Sequence, residues 1–255
     1  MPFAAINSKK VHYACPIDLT KPQGRIILLV HGAAANHKVW THQVAHLAQQ
    51  HRPIAVDQPG SGFSDGPAPK RLSDYLDVLH ELAHKLGLGT FVFCGHSMGG
   101  ALGIDYALAY PREVAAYVMV CSSARISIPP DRLKLQGQDP AGYRRMRRAS
   151  NLSRATSWPI AGQVEDILAE QSAEVAMTQL GAVSGFEAWE RIRGIACPTL
   201  LAFGDSDPNV DQVGDLLRRI PNSTFRIIHN AGHYPMWEQP QQLNQAIDEF
   251  LATLP

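Results

Sequence analysis

Neither sign of charge is in excess in this chain. Lys and Arg total 23 and so do Asp and Glu, in 255 residues. The basic surplus of nucleic-acid-binding domains is missing, and no nucleic-acid partner is expected. No run of 18 apolar residues occurs, so no membrane-spanning helix and no membrane partner is expected. Cys15, Cys94, Cys121 and Cys197 stand far apart and form no C-x-x-C pair. The opening MPFAAINSKK has neither the basic region nor the apolar run of a secretion signal. Together these features predict a cytoplasmic protein whose thiols stay reduced and serve as core filling. Apolar residues, by contrast, are plentiful at 45%. A chain this long can bury roughly 70–75% of its unfolded surface, so no disulfide or structural metal is needed to hold it. Eleven histidines are also more than the length predicts.

Short apolar runs alternate with helical patterns. FAAIN and VHYAC read as a hairpin around Asn7-Ser8-Lys9-Lys10. Arg25–Val30, Pro53–Val56, Phe91–Cys94 and Val114–Cys121 read as strands buried on both faces of a parallel sheet. Helices are predicted from Trp40 to Ala48 and over the stripe Leu72, Leu76, Leu79, Ala83 and Leu86, with Ser73 as N-cap and Gly87 near the end. A third runs from Met98 to Tyr110, stopped by Pro111. The alternation pauses over residues 122–196, where Pro129-Pro130, Pro140, Pro159 and Gly162 break helical patterns and no strand is evident. It resumes with a strand at Pro198–Phe203, a helix near Val210–Arg219, a strand at Thr224–Ile228 and a helix from Pro240 to Leu251. This predicts an α/β fold whose core comprises residues 1–121 and 197–255, interrupted by a helical insertion over 122–196.

Gly95-His96-Ser97-Met98-Gly99 is a G-x-S-x-G pentapeptide, a weak signal alone. Here it follows an apolar strand and opens a helix, as a nucleophile elbow requires. Such a turn strains the serine backbone and exposes its Oγ, and it needs tiny neighbours two residues to either side. A serine hydroxyl also needs a base. The expected base is His233, on a glycine-bearing loop beyond the Thr224–Ile228 strand; His229 is the alternative, but it is expected to pack against that strand. The expected carboxylate is Asp207, which reaches further past the Pro198–Phe203 strand than its alternative, Asp205. The order Ser97, Asp207, His233 is that of α/β-hydrolases. The oxyanion would be held by the amides of Met98, after the nucleophile, and Ala33, in His31-Gly32-Ala33-Ala34-Ala35. No cofactor or metal is required by this chemistry.

With His31-Gly32, Asp57-x-Pro-Gly-x-Gly-x-Ser64, Gly95-His96-Ser97-Met98-Gly99-Gly100, Gly204-x-x-Asp207 and Gly232-His233, nearly the whole chain resembles the α/β-hydrolase superfamily. Within it the chain looks most like small bacterial carboxylesterases and lipases with a helical lid. HGAAANHKVW is similar to the matching stretch of pimeloyl-carrier-protein methyl esterases. DQPGSGFSD with SMGG is similar to the meta-cleavage C–C hydrolases, although the tryptophan those enzymes place after the histidine is here Tyr234. Haloalkane dehalogenases and epoxide hydrolases of this fold carry Asp where this chain has Ser97. The resemblance implies a serine carboxylesterase acting on a small-molecule ester, with residues 122–196 as the lid. C–C bond hydrolysis or lactonase chemistry on the same triad is the alternative. A triad-bearing ligand receptor is a more distant one.

His80-Glu81-Leu82-Ala83-His84 matches the zinc-peptidase signature H-E-x-x-H, but the place of a third histidine is taken by Thr90. Helical spacing puts His80, Glu81 and His84 opposite the buried stripe, on a solvated face. The insertion is also uneven in charge. Residues 131–154 hold seven Lys or Arg against Asp131 and Asp139, whereas residues 155–190 hold six acids and no Lys or Arg. Mutual pairing of two solvated helices would account for this at little energy per pair. If the basic half instead steers anionic substrates, kcat/KM for anionic esters falls as salt is raised while that for neutral esters holds; an equal salt response rules steering out.

Overall fold

A computed structural model describes residues 2–20 and 24–255. β1 (Phe3–Ile6) and β2 (Lys9–Ala14) form the N-terminal hairpin. Its turn is only Asn7-Ser8, with φ of 48° and 64°, so Lys9 and Lys10 belong to the strand. Two successive positive φ values give a turn whose twist matches that of paired strands. There follow β3 (Ile26–Val30), α1 (Thr41–Leu47), β4 (Arg52–Val56), α2 (Leu72–Lys85), β5 (Phe91–His96), α3 (Met98–Ala109) and β6 (Val114–Val120). After the insertion come β9 (Thr199–Gly204), α8 (Val213–Arg219), β10 (Ser223–Ile228), α9 (Pro235–Glu238) and α10 (Pro240–Ala252). The insertion itself contains β7 (Arg125–Ile126), α4 (Pro130–Gln138), α5 (Pro140–Asn151), α6 (Trp158–Ala169), α7 (Ala173–Val183) and β8 (Phe186–Glu187).

The eight-stranded sheet has the order β1-β2-β4-β3-β5-β6-β9-β10. β1 and β2 run antiparallel and the rest pair in parallel. Every residue of β3, β5 and β9 is buried, as expected for strands covered on both faces. Leu28, Val30 and Phe93 pack with residues of α2 and α3, and Ile27, Leu29 and Val92 with residues of α1 and α10. Full burial of such side chains is worth about 1.5–3 kcal/mol each, which locks the strand register. The C-terminal ends of β3, β5, β6, β9 and β10 thereby come to one edge.

Several elements differ from expectation. Ser73 does not cap α2; Arg71 holds the N-cap position without a side-chain cap bond, and the buried Leu72 sets the start of the helix. The buried face of α2 is broader than the stripe and includes Tyr75 and Leu82, while Leu76 and Leu86 are half-buried. Gly162 lies inside α6 rather than breaking it. β7 and β8 form a two-residue antiparallel ladder at the neck of the insertion, too short to leave a periodic signal. The two charged halves are joined among the described residues by Arg148–Glu165. The other acids with partners reach outside their own half: Glu170 to Lys38, Glu187 to Arg125, and Glu190 to Arg193 and Arg219.

The chain after β4 is organised by one buried carboxylate. Asp57 accepts from His12 Nδ1 at 2.7 Å, the His37 amide at 2.7 Å, His37 Nδ1 at 2.9 Å and the Phe63 amide at 3.0 Å. Burial opposes the charge, but the hydrogen bonds and charge of His37, with His31 nearby, outweigh it and hold the Asp57 pKa at about 2. Asp57→Asn puts an amide N–H₂ against these donors. It should lower the urea-unfolding free energy by about 2–4 kcal/mol with an unchanged m-value, and a loss under about 0.5 kcal/mol would contradict this account.

Candidate active site

Ser97 joins β5 to α3 with φ 52° and ψ −115°, a region that only a tightly constrained chain holds a non-glycine residue in. Close packing supplies the constraint. A Cβ on Gly95 would meet the Gly99 carbonyl oxygen at 2.2 Å, and one on Gly99 would meet that of Val30 at the same distance. The Ser97 amide donates to Val120 O at 3.1 Å, and Ser122 Oγ donates to Ser97 O at 2.7 Å. Ser97 Oγ makes no hydrogen bond among the described residues and lies on the wall of a cavity of about 670 Å³.

His233 stands on the loop after β10 and Asp207 on the loop after β9. His233 Nδ1 donates to Asp207 Oδ2 at 2.5 Å, with both side chains buried. The other Asp207 oxygen accepts from the Asn209 amide at 2.7 Å. Asp205 is exposed and accepts instead from the Asn230 amide at 2.8 Å. His229 points to solvent rather than packing against β10, with its side chain 69% exposed. Cys121, with φ 47°, lies beside the Asp207–His233 pair. Its thiol faces Asp207 and donates to Gly232 O at 3.6 Å, and burial pushes its pKa well up, so it is a neutral thiol.

The loop after β3 packs against the pentapeptide, so closely that a Cβ on Gly32 would meet Ser97 Cβ at 3.0 Å. His31 donates through Nδ1 to Gly32 O at 2.8 Å and accepts from the Gln58 amide at 3.0 Å. Burial lowers its pKa to about 4, so it is neutral at pH 7. Among the described residues the amides of Ala33 and Met98 have no hydrogen-bond partner; that of Met98 opens α3, where no intrahelical acceptor exists. His96 donates through Nε2 to His233 O at 2.8 Å, tying the pentapeptide to the histidine loop.

Three side chains whose partners carry no sequence signal hold the parts together. Glu238, 4% exposed, accepts from the amides of Gly232 and Tyr234 on the histidine loop and from Ser153 N and Thr156 Oγ1 in the insertion. Gln179 on α7, fully buried, accepts from the Ala34 amide and donates to Ser61 Oγ, both at 2.8 Å. Arg147 on α5 donates to Tyr234 Oη and lies over the rings of Tyr143 and Tyr234. The insertion is thus a cap seated on both the histidine loop and the loop after β3. The partners that link insertion and core are 82 to 145 positions apart, and no local pattern predicts pairs at that separation.

The cavity beside Ser97 is polar, with Ser122, Ser123, Arg125, Asn209 and Gln212 among its lining residues and Trp189 at its rim. No helix among the described residues is long and apolar enough to cross a membrane.

Comparison with known proteins agrees with this architecture. The chain is 23% identical to (E)-2-((N-methylformamido)methylene)succinate hydrolase of Acinetobacter baylyi, over 98% of this chain and 97% of that one. Its fold superposes on the enol-lactonase of Burkholderia xenovorans with a TM-score of 0.90 at 19% identity, covering 98% and 100% of the two chains. A thermophilic esterase of Thermogutta terrifontis superposes at 0.85, with 24% identity over 96% of this chain and 93% of that one. Residues 27–246 match the sequence profile of the alpha/beta hydrolase family, and the chain belongs to that family.

Proposed function

We propose that the chain is a serine carboxylesterase working through an acyl-enzyme, with Ser97 as nucleophile, His233 as general base and Asp207 as its orienting carboxylate. The observation that carries this reading is the buried Asp207–His233 contact on the same sheet edge as a strained, unengaged Ser97. Asp207 accepts a hydrogen bond from the Nδ1–H of His233 and so fixes the tautomer that leaves the Nε2 lone pair for the Ser97 hydroxyl. As Oγ bonds to the ester carbonyl carbon, Nε2 takes the hydroxyl proton and the carbonyl oxygen becomes an oxyanion. The Ala33 and Met98 amides receive that charge, and one such donor is worth about 10²–10³ in rate. The alcohol leaves with the proton from Nε2. Water then repeats the sequence, releasing the acid and restoring Ser97.

The polar cavity favours short, polar acyl groups over long alkyl chains. A lactone meets the same requirements, since it is an ester closed on itself, and the likeness to an enol-lactonase favours it as the second reading. C–C bond hydrolysis would need the base to act first on carbon-bound chemistry, and no residue of the cavity speaks for that. We place the cap over residues 122–196 and the substrate between it and Ser97.

A panel of p-nitrophenyl esters of graded acyl length, with lactones alongside, tests the proposal. Ser97→Ala should lower turnover by about 10⁴-fold or more. Wild-type kcat/KM should be highest for short acyl groups. Turnover retained in Ser97→Ala would refute the nucleophile, and a preference for long chains would refute the reading of the cavity.

A further inference from the structure

The H-E-x-x-H segment of α2 has a partner that the sequence did not reveal. His80 and His84 lie one turn apart, and Glu113, from the loop between α3 and β6, stands against both. His80 Nδ1 is 3.4 Å from Glu113 Oε2 and His84 Nε2 is 3.2 Å from Glu113 Oε1. All three residues present ligand atoms within 4.8 Å of one another. We propose that His80, His84 and Glu113 form a zinc site that staples α2 to the α3–β6 loop, independent of the esterase reading.

The two imidazole-to-carboxylate distances, 3.4 and 3.2 Å, are near those between ligands of one cation. Tetrahedral zinc with bonds near 2.0–2.2 Å has ligand-to-ligand edges of about 3.3–3.6 Å. A second trio, His12, His37 and Asp57, provides the contrast. There the imidazole-to-carboxylate distances are 2.7–2.9 Å, the length of closed hydrogen bonds, and the buried carboxylate also accepts two backbone amides. In the His80 trio the imidazole-to-carboxylate distances are longer, at 3.2 Å for His84 and 3.4 Å for His80, and the shortest bond, from Tyr106 Oη to Glu113 Oε2 at 2.7 Å, orients the carboxylate from outside. Tyr110 stacks on the His80 ring at 3.6 Å and 4°, holding its plane. That stacking is also why His80 is half-buried rather than on an open face. His84 is 64% exposed, which leaves a side of the site open to a water as fourth ligand. Two imidazoles and one carboxylate form a borderline donor set that suits zinc better than magnesium or calcium.

The position points to a structural role. Glu113 directly precedes β6, at the sheet edge opposite Ser97, about 20 Å away along the strand. Glu81, the residue that serves as base in zinc peptidases, is engaged by Asn7 Nδ2 at 3.1 Å. A metal here therefore braces the fold and takes no part at Ser97.

The test uses the full chain without a histidine tag, stripped with chelator and titrated with Zn²⁺ against a chromogenic competitor, with Mg²⁺ as control. Saturable binding of about one zinc per chain is expected, with a Zn²⁺-dependent rise in Tm. His84→Ala and Glu113→Gln should each weaken zinc binding about tenfold or more and remove the Tm response. Ester turnover of the metal-free wild type and of His84→Ala should be equal. His84 is exposed, so this variant stays folded even if Glu113→Gln loses stability with the Tyr106 bond. Absence of saturable zinc binding, or equal affinity in wild type and His84→Ala, overturns the proposal.

Discussion

Everything at the sheet edge depends on one strained turn. Ser97 holds a backbone conformation that an unconstrained chain would abandon at a cost difference of about 1–3 kcal/mol. It persists because β5 arrives fully buried between β3 and β6, and α3 leaves with its first turns packed against the sheet. Gly95 and Gly99 allow the two backbones to approach so closely that a methyl group at either would collide with a carbonyl oxygen. The strain has a direct use in the proposed chemistry. It presents the hydroxyl to the cavity and leaves the Met98 amide free, so one distortion positions both the nucleophile and part of the oxyanion hole.

Much of this was legible in the sequence, for a definite reason. Strands of a parallel sheet are short, apolar and punctuated, and the residues just beyond them are confined to one edge. Ser97, Asp207 and His233 each follow such a run, so their placement at one sheet edge can be expected without knowing any contact. Choosing Asp207 over Asp205 was a matter of reach, and the structure turns Asp205 toward Asn230. What was not legible was held by single side chains across long separations. Glu238 and Gln179 look like ordinary polar residues on helices, and only the folded chain shows what they bind. The same limit applied to His80. Helical periodicity puts it on a solvated face, but it is half-buried, because Tyr110 and Glu113 approach from beyond the helix.

Electrostatically, the cap is joined both to the core and to itself. The acids of its second half reach Lys38, Arg125 and Arg219 outside the block, and only Glu165 turns to the basic helix. The basic helix is left with Arg147 against the ring of Tyr234, next to the proposed base. Neutral net charge for the chain therefore coexists with a local surplus of positive charge where α5 overlies the histidine loop.

The two anchors of the cap also decide how a molecule can get in. Glu238 fastens one flank to the histidine loop, and Gln179 fastens the other to the loop after β3. Raising the cap on either flank would loosen the proposed base or the proposed oxyanion hole. The neck is different: it is held by a two-residue ladder, and beside it Arg125, Trp189 and Arg219 border the cavity that reaches Ser97. A substrate entering from that side would leave both anchors untouched, and the proposed base and oxyanion hole would stay assembled as it came and went.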